Sequence, residues 1–180
     1  MAKEYQVRLS GFGGQGLVLA GIILGEAVAL YENKYTIQTQ SYGPEARGGA
    51  SRSEVVIGEE EVDLLEVTSP DLLLALSQEA CDKYIVDLKE DGIVIIDPDF
   101  VKNPPQKGQI YEVPITKIAQ EKLGKTIVAN MVALGAIAAI TKIVSKEALQ
   151  KAVVHRVPKG TEELNQKAIA LGFEAAKNLV

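Results

Sequence analysis

One cysteine and one histidine in 180 residues exclude more chemistry than they suggest. Cys81 alone cannot close a disulfide within the chain or furnish the four-cysteine set of a zinc or iron–sulfur site. It falls on a helical pattern between Gln78 and Lys89, where a small buried apolar residue is the expected role. His155 stands beside Arg156 near the end of a predicted helix and reads as a surface cation near carbonyl ends. No serine has the setting of a nucleophile elbow. The chain therefore brings little reactive side-chain chemistry of its own.

Other absences narrow the class further. With a formal net charge of -5 and scattered lysines, no basic face emerges, and a nucleic-acid surface is not expected. The longest apolar run, residues 127–140, is broken by Asn130 and falls short of the roughly 20 residues that span a bilayer. The start, Met1-Ala2-Lys3-Glu4, lacks the apolar core of a signal peptide, so a cytoplasmic protein is expected. There is no repeat, low-complexity tract or linker, and the length suits a single domain over 1–180.

What is present is an alternation of short apolar β runs with amphipathic segments. This predicts an α/β fold: three layers, a mostly parallel sheet with helices on both faces, and a Rossmann-like first βα unit. Strands are expected over 5–10, 35–40, 51–57, 71–76, 93–96 and 109–113. The runs over 71–76 and 93–96 are apolar enough to be buried on both sides. Ser77 is expected to cap a helix running to about Lys89, and Pro114 to open a short helix that Gly124 ends. Residues 128–141 form a helix apolar around most of its circumference, either plain core or partly covered by another subunit. Ser145 caps a helix toward Val154, and Thr161 one reaching Leu179.

Between the first strand and the first helix lies Gly11-Phe12-Gly13-Gly14-Gln15-Gly16. Glycines there permit positive φ and let backbone N–H groups approach an anion, while the following helix points its positive end at the same spot. The spacing of Gly11, Gly13 and Gly16 matches the dinucleotide fingerprint, which also wants an acidic residue at the end of the second strand. That strand ends Gln38-Thr39-Gln40-Ser41, with no carboxylate before Glu45. Nor is the loop a Walker A motif, since Leu17 and Val18 follow Gly16. A plain tight βα turn remains an alternative.

A second motif, Ser41-Tyr42-Gly43-Pro44-Glu45-Ala46-Arg47-Gly48-Gly49, follows the second strand, where a parallel sheet's carboxyl edge would bring it near the glycine loop. Arg47 offers a planar fork of donors for phosphate or carboxylate, and neighbouring glycine N–H groups suit an anion nest. The bland alternative pairs Arg47 with Glu45 and leaves the glycines to shape the loop.

These two motifs, with Ala129-Asn130-Met131-Val132-Ala133-Leu134-Gly135, resemble the gamma subunit of 2-oxoacid:ferredoxin oxidoreductases over essentially the whole chain. The second motif resembles the 2-oxoglutarate or branched-chain oxoacid type. The resemblance implies a multisubunit enzyme that decarboxylates a 2-oxoacid on thiamine diphosphate, passes electrons through iron–sulfur clusters to ferredoxin and releases an acyl-coenzyme A. Thiamine diphosphate, its magnesium ion and the 4Fe-4S clusters are then expected on partner subunits. One cysteine cannot hold the clusters, and Asp91-Gly92 follows Glu90 rather than the glycine of a thiamine signature. The gamma domain is associated with coenzyme A, so the resemblance assigns to that coenzyme Gly11, Gly13, Gly14, Gln15, Gly16, Tyr42, Arg47, Gly48 and Gly49, with Asn130 as a further polar contact, a cap or a buried amide. An independent NAD(P)-binding oxidoreductase and a purely structural subunit are the alternatives.

Overall fold

The computed structural model describes residues 4–40 and 49–180. Six strands form one sheet: β1 (Tyr5–Phe12), β2 (Tyr35–Gln40), β3 (Ala50–Gly58), β4 (Leu72–Ala75), β5 (Ile93–Ile96) and β6 (Gln109–Glu112). Their spatial order is β2-β3-β1-β4-β5-β6. β1, β4, β5 and β6 are parallel neighbours in that row, with Val7 opposite Leu72, Leu72 opposite Ile93 and Ile93 opposite Gln109. β3 runs against both β1 and β2, so it alone is reversed and β2 points the same way as β1. The carboxyl ends of five strands thus share one edge, and β3 starts from that edge, with Ala50 opposite Phe12.

The helices are α1 (Leu17–Tyr31), α2 (Gln78–Tyr84), α3 (Ile115–Leu123), α4 (Ala129–Thr141), α5 (Lys146–Val154) and α6 (Glu162–Ala176). The two faces of the sheet are unequally dressed. Alternate strand residues Val7, Leu9, Val55, Leu72, Leu74 and Ile95 join one large core with residues of α1, α3, α4, α5 and α6. Their neighbours Leu73, Ala75, Val94 and Ile96 pack on Ala80, Cys81 and Tyr84 of α2. β4 is fully buried, as a strand covered on both faces must be.

On the α2 face, Arg8 of β1 points where its neighbours in sequence do not. It is 1% exposed. Its Nε donates to Glu54 Oε1 at 2.7 Å, Nη1 to Asp87 Oδ2 at 3.2 Å and Nη2 to the Val67 carbonyl at 2.9 Å. The guanidinium also lies 5.4 Å from the centroid of the Tyr84 ring. Burial of this cation is tolerable only because its donors and charge are met on every side.

α4 is core: Asn130 through Ile140 are buried within the chain itself, and the helix packs most closely on α6. The expectation of one long helix after Ser77 is corrected. Ser77 does cap α2, its Oγ accepting from the Ala80 N–H at 3.2 Å, but the helix ends at Tyr84 and tightens into a 3-10 turn over Ile85–Asp87. Thr161 stands at the start of α6 without a capping bond; its hydroxyl donates to the Pro158 carbonyl at 2.7 Å. α6 stops at Ala176, the last residue that reaches the core, rather than at Leu179. No described helix is long and apolar enough to cross a membrane.

Candidate functional site

β1 ends in the glycine loop, and each of its residues has a distinct part. Gln15 folds back beneath the loop: its Oε1 accepts from the Phe12 N–H at 2.9 Å, and its Nε2 donates to the Leu76 carbonyl at the end of β4, at 3.0 Å. A side chain at Gly11 could not coexist with this staple, since a Cβ there would lie 1.9 Å from Gln15 Oε1. Gly16, left-handed at φ 72°, is the residue preceding α1, and a Cβ on it would lie 2.4 Å from Asn130 Nδ2. Asn130, from the first turn of α4, donates that Nδ2 to the Gly16 carbonyl at 3.1 Å. Its Oδ1 accepts from the Met131 N–H at 3.0 Å. Gly11 and Gly16 are therefore needed to admit the two amides that hold the loop.

Gly13 and Gly14 form the exposed tip between these clamps. Gly14 has φ 90°, and a Cβ there would meet nothing within 4 Å. Gly16, the N-cap of α1, has no side chain to cap it, so among the described residues no side chain bonds the first N–H groups of α1. α3 differs. Asp97, wholly buried at the end of β5, accepts from the Thr116 N–H through Oδ2 at 2.8 Å and from the Asp99 N–H through Oδ1 at 3.1 Å. That carboxylate already answers the α3 terminus.

A cleft of about 370 Å³ opens beside the loop at the carboxyl edge of the sheet. Phe12, Gly14 and Gln15 form one wall, with Leu76 behind them. Phe100, just beyond β5, and Thr116 form another, and Thr126 and Ile127 of the turn before α4 close it with Ala129, the first residue of that helix. None of these side chains is charged. The volume sits at the small end of the roughly 300–1,000 Å³ of ligand pockets, enough for part of a large coenzyme.

The structure thus brings together Gly11, Gly13, Gly14, Gln15, Gly16 and Asn130. Gly49 stands next to Ala50, which pairs with Phe12, the second residue of the loop. Tyr42, Arg47 and Gly48 lie outside the described residues; Gln40 and Ala50, on either side of them, are at the same edge of the sheet. Sequence reading missed Phe12, Phe100, Thr116 and Ile127 as cleft residues. Only Phe12 carried a signal, as the one bulky residue in a run of glycines.

Cys81 is buried on α2, where loss of hydration and the nearby Asp82 push its thiol up to about 11. It is protonated and unreactive at neutral pH. His155 caps the end of α5 and is exposed, while its neighbour Arg156 reaches Glu26 of α1, Nε donating to Oε1 at 2.8 Å. Among the described residues no three His, Cys, Asp or Glu side chains gather as metal ligands.

Fold and cleft together define an α/β chain that presents a glycine loop and an uncharged pocket at the carboxyl edge of its sheet, with no cluster or metal site of its own among the described residues. The chain belongs to the pyruvate ferredoxin/flavodoxin oxidoreductase family, whose model matches residues 6–175. It is 56% identical to the 2-oxoglutarate synthase subunit KorC of Methanocaldococcus jannaschii, over 99% of this chain and 96% of that one. The ketoisovalerate oxidoreductase subunit VorA of Methanothermobacter marburgensis is 38% identical over 77% of this chain but only 29% of its own length. Among solved structures, the gamma subunit of a keto/oxoacid ferredoxin oxidoreductase from Geobacter sulfurreducens superposes with a TM-score of 0.88 at 51% identity, covering 97% of each chain. The 2-oxoglutarate:ferredoxin oxidoreductase of Magnetococcus marinus, solved with 2-oxoglutarate, coenzyme A and succinyl-CoA, contains the same fold in 32% of a longer chain, with a TM-score of 0.88 at 22% identity.

Proposed function

We propose that this chain is the gamma-type subunit of a 2-oxoglutarate:ferredoxin oxidoreductase, and that it holds part of coenzyme A while partner subunits perform the chemistry. The 56% identity to a KorC subunit over nearly the full length of both chains supports the choice of oxoacid. The complex oxidatively decarboxylates 2-oxoglutarate, conserves the acyl group as succinyl-CoA and passes two electrons to ferredoxin. We place it in the cytoplasm. We assign thiamine diphosphate, magnesium and the 4Fe-4S clusters to the partner chains, a reading supported for the clusters by the single cysteine, which cannot ligate one alone.

The observation that carries the coenzyme reading is the exposed glycine tip in front of an uncapped helix start, opening on an uncharged cleft. We assign the backbone of Gly13 and Gly14 to the coenzyme's phosphates and, on the family resemblance, Tyr42, Arg47, Gly48 and Gly49 to the same coenzyme, the guanidinium of Arg47 offering the positive charge that the described lining lacks. Gln15 and Asn130 act on the ligand indirectly. Their amides already bond to protein, and together with Gly11 and Gly16 they fix the loop's shape. The chain's own contribution is thus to bind and orient the coenzyme and to join the complex.

The test is purification of the native protein under mild conditions. Brown, cluster-bearing partners should accompany it, and the complex should reduce ferredoxin only when 2-oxoglutarate and coenzyme A are both supplied. A colourless isolated chain that binds NADH with micromolar affinity would instead establish an independent dehydrogenase.

A further inference from the structure

The chain has three phenylalanines, and two of them lie outside its core. Phe173 packs against the main cluster. Phe12 and Phe100 belong to none of the buried clusters and remain 42% and 37% exposed, although they come from separate segments and meet edge to face, centroids 6.0 Å apart and planes at 63°. Two large rings held in water contribute little to folding. Their placement is not accidental to the cleft: both line it, and Ile127, 79% exposed, stands on its far side.

The chemistry of the cleft narrows what the rings are for. A wall of two aromatic rings, Leu76 and Ile127 offers dispersion and π contact but no charge, so the phosphates themselves gain nothing by entering it. The glycine tip, where we place those phosphates, borders the same space through Gly14. A flat, neutral, polarisable group attached to a phosphate fits both facts. Thr116 and Thr126 give the pocket hydroxyls for the edge of such a group.

Building on the coenzyme reading above, we propose that Phe12 and Phe100 form a stacking platform for the adenine ring of coenzyme A. The nucleotide half of the coenzyme seats on this chain, and the pantetheine arm, which the cleft is too small to enclose as well, runs out toward the partner subunits. Phe12 and Phe100 are positioning residues that act on binding.

The platform is tested in the assembled complex with Phe12→Leu and Phe100→Leu, which keep an apolar side chain but remove the ring. Two probes compete against coenzyme A: its adenosine bisphosphate half and phosphopantetheine. Each leucine variant should weaken inhibition by the adenosine bisphosphate and raise the KM for coenzyme A about tenfold. Phosphopantetheine inhibition should be unchanged, and Phe12→Tyr should restore the wild-type values. Leucine variants that bind the nucleotide half as the wild type does would overturn the platform. So would variants that lose phosphopantetheine equally, or that dissociate from their partners with no change in KM. Arg47→Ala, run in parallel, separates the two levels. If it raises the KM while the leucine variants do not, only the platform fails; if none of the three variants raises it, the coenzyme reading fails as well.

Discussion

Single residues in this chain are placed by what their polar atoms must meet. On sequence Gln15 lies in the glycine loop and Asn130 in the separate run 129–135, yet each uses its amide to hold the loop, Gln15 tying it to the residue after β4 and Asn130 tying the start of α4 to the Gly16 carbonyl. Leaving such groups unmet would cost about 1–3 kcal/mol each. Cys81 makes a pH prediction at the same scale. Burial lifts its thiol from the ordinary value of 9.0 to about 11. A proton held more tightly in the folded state stabilises fully below the unfolded value, and that contribution is lost as pH rises through the folded one. Between about pH 9 and 11 the wild type should lose about 2–3 kcal/mol relative to Cys81→Ala, which has no thiol to titrate. Urea melts of both proteins at pH 8 and pH 11 measure this, and parallel loss in the two would show that Cys81 does not contribute. The same burial predicts negligible alkylation of the native protein at pH 7.5 and rapid alkylation in urea.

At the scale of elements, the tightest contact is the crossing of α4 and α6. A Cβ on Gly135 would lie 2.0 Å from the Ile169 carbonyl oxygen, and one on Gly172 would lie 1.9 Å from that of Val132. Both obstacles are backbone, which cannot swing aside as a side chain end would. Gly135→Ala or Gly172→Ala should therefore destabilise the fold by about 1–3 kcal/mol or more, read as a lower urea midpoint at unchanged slope. A helix-propensity gain of up to about 1 kcal/mol would appear instead if the helices could move apart.

Most elements were legible in sequence because their signals were local. Apolar runs bounded by Asp91-Gly92 and Asp97-Pro98 delimit β5, and Pro114 with Gly124 brackets α3. Features set by distant residues were not legible. The apolar pattern after Ser77 continues past Tyr84, but Asp87 is engaged by Arg8 of β1, and the chain there tightens into a 3-10 turn. α6 ends where contact with the core ends, and no residue after Ala176 announces it. The reversed direction of β3 is likewise invisible, since an apolar strand reads the same either way. At the site, the glycines announced the loop, whereas Phe100, Thr116 and Ile127 meet only because separate connections converge on one edge of the sheet.

The whole molecule is lopsided in a way that suits a subunit. Among the described residues, five of six helices contribute to one core, and the opposite face is covered by the short α2 and by the segment 62–67. The described wall of the cleft carries no charged side chain, and the chain holds one cysteine and one histidine. The VorA relative matches this chain over only 29% of its own length, and the Magnetococcus structure contains the same fold in 32% of a longer chain. As proposed above, this chain holds the phosphate-bearing half of coenzyme A. That proposal is tested most directly by the steady-state KM for coenzyme A of the assembled complex carrying Arg47→Ala. Loss of a charged hydrogen-bond donor predicts a rise of about ten- to a hundredfold, with the KM for 2-oxoglutarate unchanged. A KM for coenzyme A equal to that of the wild type would contradict the account.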